Sequence, residues 1–465
     1  MRLSEATRGA LPVAVAQAGY ARAEQAGGIV HLGIGAFHRA HQAVYTDDAM
    51  AAGDRDWAIT GVSLRSPQVQ EQLAPQDGLY TVATRDADGE RLRVIEAVRA
   101  VLVAPHDPAA VAAALAAPAT RIVTLTVTEK GYHRLPGGGI DGASVERAGG
   151  TIYHYLAQAV RDRHAAGAGP MTLVSCDNMT DNGHVLHEGV GSLLDGAAAA
   201  WFARDWACPS TMVDRIVPAT APDDLDRIAR HIGMRDDGAV VTEPFRQWVI
   251  EDRFATDRPR WDVGGGGGGA QFVADVRPYE TAKLRMLNGA HSALAYLGLG
   301  AGHEFVHQAV ADPAVRQVVE RLMRREAAAS LDAAPGQDLD GYADALLARF
   351  ANPALAHRLA QIASDGSQKV GPRWLEALTI NRARGVETPA TLAALAGWLR
   401  HLRGQAGPVN DPMGDELAAL WRDHDARGMV ATLFGAGGRF AARWQADDGE
   451  ADALAAMVES GAERN

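Results

Sequence analysis

Lysine is the rarest basic side chain in this sequence, and it marks three positions at which a proton could be transferred. Of 45 lysines and arginines, only Lys130, Lys283 and Lys369 are lysine. Arginine keeps its proton near neutral pH, whereas a lysine that is buried or lies beside other charges can lose it. The three lysines are therefore candidates for chemistry, and the alternative is that they are ordinary surface cations.

Four polar side chains, Glu280, Lys283, Asn288 and His291, follow one another along a predicted helix. At about 100° per residue from Lys283, Glu280 falls near 60°, His291 near 80° and Asn288 near 140°, so all four share one side. Apolar residues surround that side, and partial burial would lower the pKa of Lys283 towards the range of a general base. The alternative interpretation is a solvated polar face.

Two asparagines follow a predicted strand, at the end of the strand where α/β folds bind their ligands. Two of the seven asparagines, Asn178 and Asn182, lie in the segment SCDNMTDNG. An amide can donate a hydrogen bond to a developing alkoxide, so Asn178 and Asn288 are candidates for an oxyanion hole. Asn182 precedes Gly183, and for it we favour a structural role in a turn.

The segment Gly33-x-Gly35-x-x-His38 contains two of the three glycines of a dinucleotide fingerprint. The first glycine permits a tight turn, and the second lets a pyrophosphate approach the helix N-terminus. His38 replaces the third glycine, and Ser63 or Leu64 stands where an acid would bind the ribose. Arg65 is placed to contact a 2′-phosphate, which leaves the choice between NAD and NADP open. NAD is the cofactor that we predict, and NADP is the alternative. The alternative is a tight strand-to-helix turn without a ligand.

The segment His303-Glu304-Phe305-Val306-His307 matches the zinc pattern H-E-x-x-H. Pro313 stands where a third histidine would follow. Glu326, further along the sequence, is separated from His307 by a spacing that would allow it to complete a zinc site. Glycines immediately upstream indicate that His303 opens a helix rather than lying within one. We therefore predict no metal site.

The elements that must position these residues change in character along the chain. Strands alternate with helices in the first part, which predicts an α/β Rossmann-type domain with a doubly wound parallel sheet over residues 1–275, binding NAD(P). Amphipathic helices predict a mostly α-helical substrate and catalytic domain over 276–465. The six glycines at 264–269 are predicted to form a loop insertion. Predicted strands are 29–32, 57–64, 92–95, 121–127, 171–175 and 271–276, and predicted helices are 108–116, 150–165, 280–298, 313–330, 339–350, 353–363, 389–403 and 416–422.

Composition and charge narrow the class of protein. A length of 465 residues predicts two or three domains, and a net charge of −12 argues against nucleic acid as a partner. Glu5 and Arg8 interrupt the N-terminal segment before an apolar run, so we expect no signal peptide, and no run of 18 apolar residues suggests a membrane span. Two cysteines, Cys176 and Cys208, suit a reducing compartment. We expect a soluble, cytoplasmic protein, either a monomer or a small homo-oligomer.

Several longer blocks resemble the polyol-specific long-chain dehydrogenases, that is, the mannitol dehydrogenase family. The resemblance spans about residues 29–425 and implies zinc-independent, NAD(P)-dependent oxidation of a secondary alcohol in a sugar acid or sugar alcohol. The six-glycine run departs from the family pattern. The matching blocks are GIGAFHRAH (33–41), TVTEKGY (126–132), SCDN (175–178), TMVDRIVPAT (211–220), EPFRQWVIEDRF (243–254), QFVADVRPYE (271–280), KLRMLNGAHSALAYLG (283–298) and QIASDGSQK (361–369).

The resemblance also implies roles for individual residues. It makes Lys283 the general base, Asn178 and Asn288 the oxyanion hole, His291 a substrate-orienting group and Glu280 part of a proton path. It places Asp214 and Lys369 around the substrate and Lys130 near the nicotinamide. The candidate cofactor-binding residues, from the glycine turn, the second strand and the TEKGY segment, are Gly33, Ile34, Gly35, Ala36, Phe37, His38, Arg39, Ser63, Arg65, Thr128 and Lys130.

The substrate is the least determined feature. Gln361 opens the motif QIASDGSQK where a mannitol 2-dehydrogenase is expected to have arginine, which favours interconversion of D-mannonate and D-fructuronate. A hexuronate carries a carboxylate that needs a cation or several N–H donors, and Arg246, Lys369 and Arg373 are candidates. Oxidation of D-mannitol to D-fructose, or of another polyol or hexuronate, is the alternative. A non-catalytic dinucleotide-sensing protein is the alternative from another class.

Overall fold

The chain folds into two units, Met1–Arg277 and Pro278–Asn465. A computed structural model describes residues 1–135, 137–264, 268–404 and 407–460. Residues 265–267, the middle of the six-glycine run, lie outside the described residues. None of the helices formed by the described residues combines the length and the apolar character that crossing a membrane requires.

The described residues of the N-terminal unit form three sheets. The largest has five parallel strands in the order β5-β2-β1-β6-β7, and two three-stranded sheets have the orders β11-β10-β8 and β4-β3-β9. The strands are β1 (Gly27–Leu32), β2 (Ala58–Ser63), β3 (Tyr80–Asp86), β4 (Gly89–Ile95), β5 (Val98–Val103), β6 (Ile122–Leu125), β7 (Thr172–Ser175), β8 (Thr211–Asp214), β9 (Val240–Thr242), β10 (Gln247–Glu251) and β11 (Gln271–Val273).

The five-stranded sheet is parallel because its strands are apolar on both faces. In β1, Ile29 packs into one hydrophobic cluster, whereas Val30 and Leu32 pack into another on the opposite face. The strand order runs outward from β1 in both directions, which is the Rossmann arrangement. The predicted doubly wound sheet is therefore confirmed.

The helices of the N-terminal unit connect these strands. Asp107 starts one of them by accepting a hydrogen bond from the Ala110 N–H at 2.9 Å, immediately before Pro108. The helices are α1 (Ala36–Ala40), α2 (Gln42–Ala51), α3 (Gln68–Leu73), α4 (Pro108–Ala116), α5 (Gly142–Ala148), α6 (Ile152–Ala165), α7 (Asn182–Gly191), α8 (Gly196–Asp205) and α9 (Pro222–Ile232), and α10 (Arg277–Ala282) begins at the boundary of the units.

The described part of the C-terminal unit is built from helices, as predicted. Three stretches are π-helical: Lys283–Asn288, Leu322–Ala327 and Gly371–Leu375. The first of these packs against the other two. The helices are α11 (Gly289–Gly300), α12 (Val306–Ala311), α13 (Pro313–Arg321), α14 (Leu339–Phe350), α15 (Leu359–Ile362), α16 (Gly366–Val370), α17 (Glu376–Ala383), α18 (Pro389–His401), α19 (Gly414–Asp423), α20 (Ala426–Phe434) and α21 (Asp448–Ser460).

Helix α11 is the centre of the C-terminal core. It is buried on most sides and packs closely on α18, where a Cβ added to Gly397 would lie 3.1 Å from the Leu297 side chain. Leu294, Leu395 and Trp398 are fully buried in the same cluster. The α11 helix and the π segment before it are thus held by a continuous apolar core.

Three predicted elements are wrong in extent, and one of them is the strand predicted over 92–95, which begins at Gly89. The predicted helix over 353–363 is a 3₁₀ turn, Pro353–Leu355, followed by α15 from Leu359, because Ala356 adopts a left-handed φ of 42° between them. The strand predicted over 271–276 ends at Val273.

Candidate active site

The glycine turn after β1 lies where the strand order of the large sheet reverses. Gly33 has a φ of 95°, and a Cβ at this position would lie 2.1 Å from the Thr126 carbonyl oxygen at the end of β6. Both conditions require glycine. Gly35 is exposed and precedes α1 in extended conformation. The turn therefore leaves its backbone open at the switch point, where Rossmann domains bind a dinucleotide.

His38 stands at the position of the third fingerprint glycine. Its ring fills that place by stacking on the ring of His31, whereas a glycine would leave the place open. Its ring lies parallel to that of His31, with ring centroids 3.4 Å apart, and both side chains are fully buried. Burial lowers the pKa of His31 to about 3 and lowers the pKa of His38 well below its usual value, so both rings are neutral. His38 packs α1 against β1, and its ring is enclosed within the unit.

Other fingerprint side chains also face inward. The buried Arg39 guanidinium donates to the Gly238 carbonyl at 2.5 Å, and Ile34 is buried against β2, where only a glycine at 61 leaves room for it. Phe37 is half-buried and stacks on His41, with ring centroids 4.9 Å apart, and Ala36 is half-buried. Any contact of Arg39 with a cofactor would therefore come from its backbone.

The C-terminal end of β2 carries no carboxylate. The Ser63 hydroxyl donates to the Ser66 carbonyl at 2.5 Å, and Arg65 is exposed. A carboxylate at this place would bind the ribose 2′-hydroxyl of NAD, whereas an arginine accommodates the 2′-phosphate of NADP. The position is therefore compatible with either cofactor.

The loops after β6 and β7 carry three further candidates. Thr128, Lys130 and Asn178 are all exposed on these loops. Asn182, by contrast, is fully buried and exchanges hydrogen bonds with the backbone of Thr211 at 2.9 Å, which confirms its structural role. The structure thus separates the two asparagines of this segment into an exposed and a structural one.

Two residues predicted around the substrate are buried in the N-terminal unit. Asp214 ends β8 and lies opposite Gln247 of β10. The Arg246 guanidinium forms an ion pair with Asp48 at 2.7 Å and lies over the Tyr45 ring at 4.4 Å from its centroid. The interpretation of Arg246 as a structural ion-pair partner is therefore the better one, because its charge is already compensated.

The helical candidates span a π segment, whose ideal geometry places them on a narrower arc than an α-helix would. Lys283 begins the first π segment and Asn288 ends it, and the Gly289 N–H bonds to the Leu284 carbonyl five residues earlier. With roughly 4.4 residues per π turn, Asn288 moves to about 50° from Lys283 and His291 to about −10°. The arc that holds Lys283, Asn288, His291 and Glu280 narrows from about 140° to about 70°.

The end of this π segment is held by the third π segment. Arg373 donates to the Asn288 carbonyl at 3.2 Å and to the Ser292 hydroxyl at 2.6 Å, and the Trp374 indole donates to the Gly289 carbonyl at 3.2 Å. Burial lowers the pKa of Arg373 to about 10. These contacts fix the backbone from which Asn288 projects.

His291 is packed between aromatic rings. Its ring centroid lies 4.7 Å from that of Phe350 and 5.5 Å from that of His357, which meets it edge-on. Burial, together with the charges of Arg349, His357 and Arg373, lowers its pKa well below the usual value. His291 is therefore neutral at pH 7, able to donate or accept a hydrogen bond without carrying charge.

Lys369 is half-buried at the end of α16. Its ammonium donates to the Ser364 carbonyl at 2.6 Å and to the Ile362 carbonyl at 3.3 Å. Burial, and then the charge of Arg373, lowers its pKa. Gln361 is exposed in α15, and its carbonyl accepts from the Ser364 hydroxyl. Both residues thus belong to the turn that leads from α15 into α16.

The geometry that the H-E-x-x-H pattern requires does not form. Helix α12 begins at Val306, so His303 precedes it, and His303 pairs with Asp312 at 3.1 Å. The Glu326 carboxylate accepts hydrogen bonds from the Ala390 and Thr391 N–H groups at the start of α18. Among the described residues no group of three or more histidine, cysteine or acidic side chains could hold a metal ion.

Sequence reasoning missed three residues that support the candidates: Asp177, His357 and Trp374. Asp177 is adjacent to Asn178, so its position next to a candidate was a usable signal. His357 lies 66 residues from the ring it contacts and Trp374 lies 85 residues from the carbonyl it binds, so no local pattern links either to its target.

These features define the class of the protein. A five-stranded Rossmann sheet with an open glycine turn, followed by a helical unit that groups a lysine, an amide and a neutral histidine, is the arrangement of a nicotinamide-dependent oxidoreductase. The candidate cofactor-binding end is the β1–β6 switch point, where Gly33 lets the turn approach the Thr126 carbonyl closely and the backbone of Gly35 is exposed.

The chain belongs to the mannitol dehydrogenase family, whose members are NAD-dependent oxidoreductases acting on sugar acids and sugar alcohols. The family's Rossmann domain matches residues 27–263 and its C-terminal domain matches residues 275–447. The family membership that the sequence motifs predicted is therefore confirmed.

Three relatives illustrate the similarity. D-mannonate oxidoreductase of Escherichia coli (strain K12) is 41% identical, with 93% of this chain and 92% of the relative covered. The structure of a substrate-free D-sorbitol dehydrogenase has a TM-score of 0.88 at 32% identity, covering 98% of this chain and 96% of that one. The ternary complex of Pseudomonas fluorescens mannitol 2-dehydrogenase with NAD and D-mannitol has a TM-score of 0.77 at 32% identity, covering 99% and 96%.

We expect Gly33→Ala to weaken NADH binding at least about tenfold, because the new Cβ collides with the Thr126 carbonyl and displaces the turn. Fluorescence titration of NADH measures this change. The matched control is Gly53→Ala, which has a φ of 104° but no atom within 4 Å of the new Cβ. That variant should lose about 1 kcal/mol of stability and bind NADH normally. Equal binding by Gly33→Ala and the wild type would contradict the assignment of the turn.

Proposed function

We propose that this chain is a metal-independent dehydrogenase that interconverts D-mannonate and D-fructuronate with NAD, with NADP as the alternative cofactor. The observation that supports the reaction is the π segment Lys283–Asn288, because its wider turn would bring Lys283, Asn288 and His291 to one side of the helix. The alternative substrate pair is D-mannitol and D-fructose. Both alternatives use the same residues for the chemical step.

In the oxidation, neutral Lys283 takes the proton of the substrate hydroxyl. The bound nicotinamide supplies the acceptor for the hydride that leaves the carbinol carbon. In the reduction, Lys283 returns the proton as an ammonium donor. Glu280 precedes Lys283 by three residues, nearly one helical turn, and serves as the path by which the proton exchanges with solvent.

The developing charge on the substrate oxygen is stabilised by amides rather than by a metal. Asn288 donates a hydrogen bond to that oxygen, and His291, which is neutral, orients the substrate without adding charge. Arg373 keeps Asn288 in place through the Asn288 carbonyl, so the amide is preorganised before the substrate binds. The Asn288 amide and the ammonium that Lys283 becomes provide the polarisation that zinc provides elsewhere.

Two observations favour a hexuronate. The E. coli D-mannonate oxidoreductase is 41% identical over 93% of this chain, slightly more than the 39% over 87% of a mannitol 2-dehydrogenase. In addition, Lys369 and Arg373 are two cations within the unit that carries Lys283, and the Lys369 ammonium has three N–H donors, of which two bind the backbone carbonyls of Ile362 and Ser364. The ammonium also lies 3.9 Å from the Asp365 carboxylate, so its third donor would turn from Asp365 to the carboxylate that a mannonate carries and a mannitol lacks.

Replacement of the proposed base should abolish turnover. We expect Lys283→Ala to lower kcat by at least about 100-fold while the Kd for NADH changes less than about twofold. Lys283→Arg should be equally inactive, because a guanidinium does not release its proton at neutral pH. Absorbance at the NADH band, followed in stopped-flow or steady-state assays, measures the turnover of both variants. An active Arg variant would exclude the general-base role, and a wild-type chain that binds NADH but oxidises no polyol or hexuronate would support a non-catalytic sensor.

The substrate class is tested by comparing D-mannonate with D-mannitol. The wild type should have a higher kcat/KM for D-mannonate, and Lys369→Gln should raise the KM for D-mannonate about tenfold while affecting D-mannitol much less. Arg316→Gln, on the exposed face of α13 and paired with Glu320, is the surface control. A kcat/KM for D-mannitol above that for D-mannonate would transfer the assignment to a mannitol 2-dehydrogenase.

Cofactor choice depends on the end of β2. We expect Arg65→Ala to raise the KM for NADP about tenfold and to leave the KM for NAD within about twofold, because only NADP carries a 2′-phosphate. Initial rates with each cofactor at saturating sugar measure the ratio. A parallel loss with both cofactors would mean that Arg65 contacts another part of the dinucleotide.

A further inference from the structure

The strongest unassigned feature is a buried carboxylate that joins the loops after β6 and β7. Asp177 is 7% exposed and follows β7 by two residues. One carboxylate oxygen accepts from the Thr128 N–H at 2.8 Å, the other accepts from the Tyr132 hydroxyl at 2.8 Å, and both lie 3.0 Å from the Val127 nitrogen. The proposed reaction makes no use of this carboxylate.

Thr128 adopts a backbone conformation that a β-branched residue rarely takes. Its φ is 67° and its ψ is 159°, in a region that is nearly restricted to glycine. Two consecutive N–H groups, those of Val127 and Thr128, consequently converge on one acceptor and form an anion-binding concavity. In this chain the anion is the carboxylate of Asp177, so the protein itself supplies the charge that holds the strained peptide.

The strained peptide lies next to the glycine turn. Thr126 donates from its hydroxyl to the Gly33 carbonyl at 2.8 Å, and its N–H bonds to the Leu32 carbonyl at 3.0 Å. The Thr128 carbonyl accepts from the Gly131 N–H at 2.9 Å and thereby starts the turn that contains Lys130. The course of the chain from the switch point to Lys130 thus passes through the peptide that Asp177 holds.

Tyr132 closes the back of the arrangement. Its side chain is fully buried, and its hydroxyl lies 2.6 Å from the Ser175 hydroxyl as well as 2.8 Å from Asp177. Burial raises the pKa of Asp177, whereas the hydrogen bonds from Val127, Tyr132 and Thr128 lower it. These donors satisfy a carboxylate that would otherwise be costly to bury.

We propose that Asp177 is a positioning residue, which holds Thr128 in its strained conformation and thereby sets the segment Thr126–Lys130 beside the glycine turn at the proposed cofactor site. It also ties this segment, which follows β6, to the loop after β7 that carries Asn178, so the two loops keep a fixed relative position. The inference rests on the proposed cofactor at the switch point and is independent of which sugar is the substrate.

The test is NADH binding by Asp177→Asn in the full-length protein. An amide keeps the shape but presents an NH₂ group to one of the backbone donors, so the Kd for NADH should rise about tenfold. The matched control is Asp236→Asn. Asp236 is a 2% exposed carboxylate in the same unit that accepts from the Thr81 N–H at 2.7 Å and from the Gly238 N–H at 3.0 Å. The Asp236→Asn variant should lower Tm about as much as Asp177→Asn does and leave the Kd for NADH unchanged.

A double-mutant cycle distinguishes positioning from general stability. Glycine adopts the φ of Thr128 without strain, so in a Thr128→Gly background Asp177→Asn should raise the Kd only about threefold instead of tenfold. Tyr132→Phe, which removes a single donor, is the milder variant if Asp177→Asn does not fold, and it should raise the Kd about threefold.

The outcomes separate the inference from the proposed function. A wild-type chain that binds neither NADH nor NADPH would overturn the proposed cofactor. Normal NADH binding by Asp177→Asn, or a loss of Tm with no change in Kd as in Asp236→Asn, would overturn the positioning role alone. Equal effects of Asp177→Asn in the wild-type chain and in the Thr128→Gly variant would show that the carboxylate does not act through this peptide.

Discussion

The contact between the turn after β1 and the end of β6 is the constraint on which the nucleotide-binding half of this protein depends. A parallel sheet that grows outward from β1 in both directions must open a crevice where its order reverses, and the two chain segments that border the crevice meet at Gly33 and Thr126. A side chain at residue 33 would push them apart. The absence of one Cβ therefore determines both the turn and its approach to the neighbouring loop.

The surrounding polar groups turn this contact into a rigid edge. Thr126 bonds to the turn, Asp177 bonds to the peptides that follow Thr126, and His31 lies beneath with its ring 2.9 Å from the Thr126 hydroxyl. Each of these groups is satisfied by neighbours within the unit, which is why they can be buried without a large penalty. Strain at Thr128 is tolerated because three donors and one carboxylate determine its position together.

In the C-terminal unit the corresponding constraint is the widened helical turn at Lys283–Asn288. A π turn is less favourable than an α turn, and it persists here because it is packed against two further π segments and because Arg373 and Trp374 bind the carbonyls at its end. The gain is alignment, since the polar side chains come to lie along one narrow arc over an apolar core. Helix α11 serves as a fixed support for that arc.

The sequence by itself determined the two-part architecture, the family, the glycine turn and the polar stripe from Glu280 to His291, because these depend on local periodicity, on backbone freedom at single residues and on rare residue types such as lysine. Only the tertiary structure decided that Arg39 and Arg246 point inward, that His38 stacks on His31, and that the helix widens into a π segment between Lys283 and Asn288. Their positions depend on partners that are distant in sequence, such as Gly238 for Arg39 and Arg373 for Asn288. No local pattern encodes such partners, since they are set by how the elements pack.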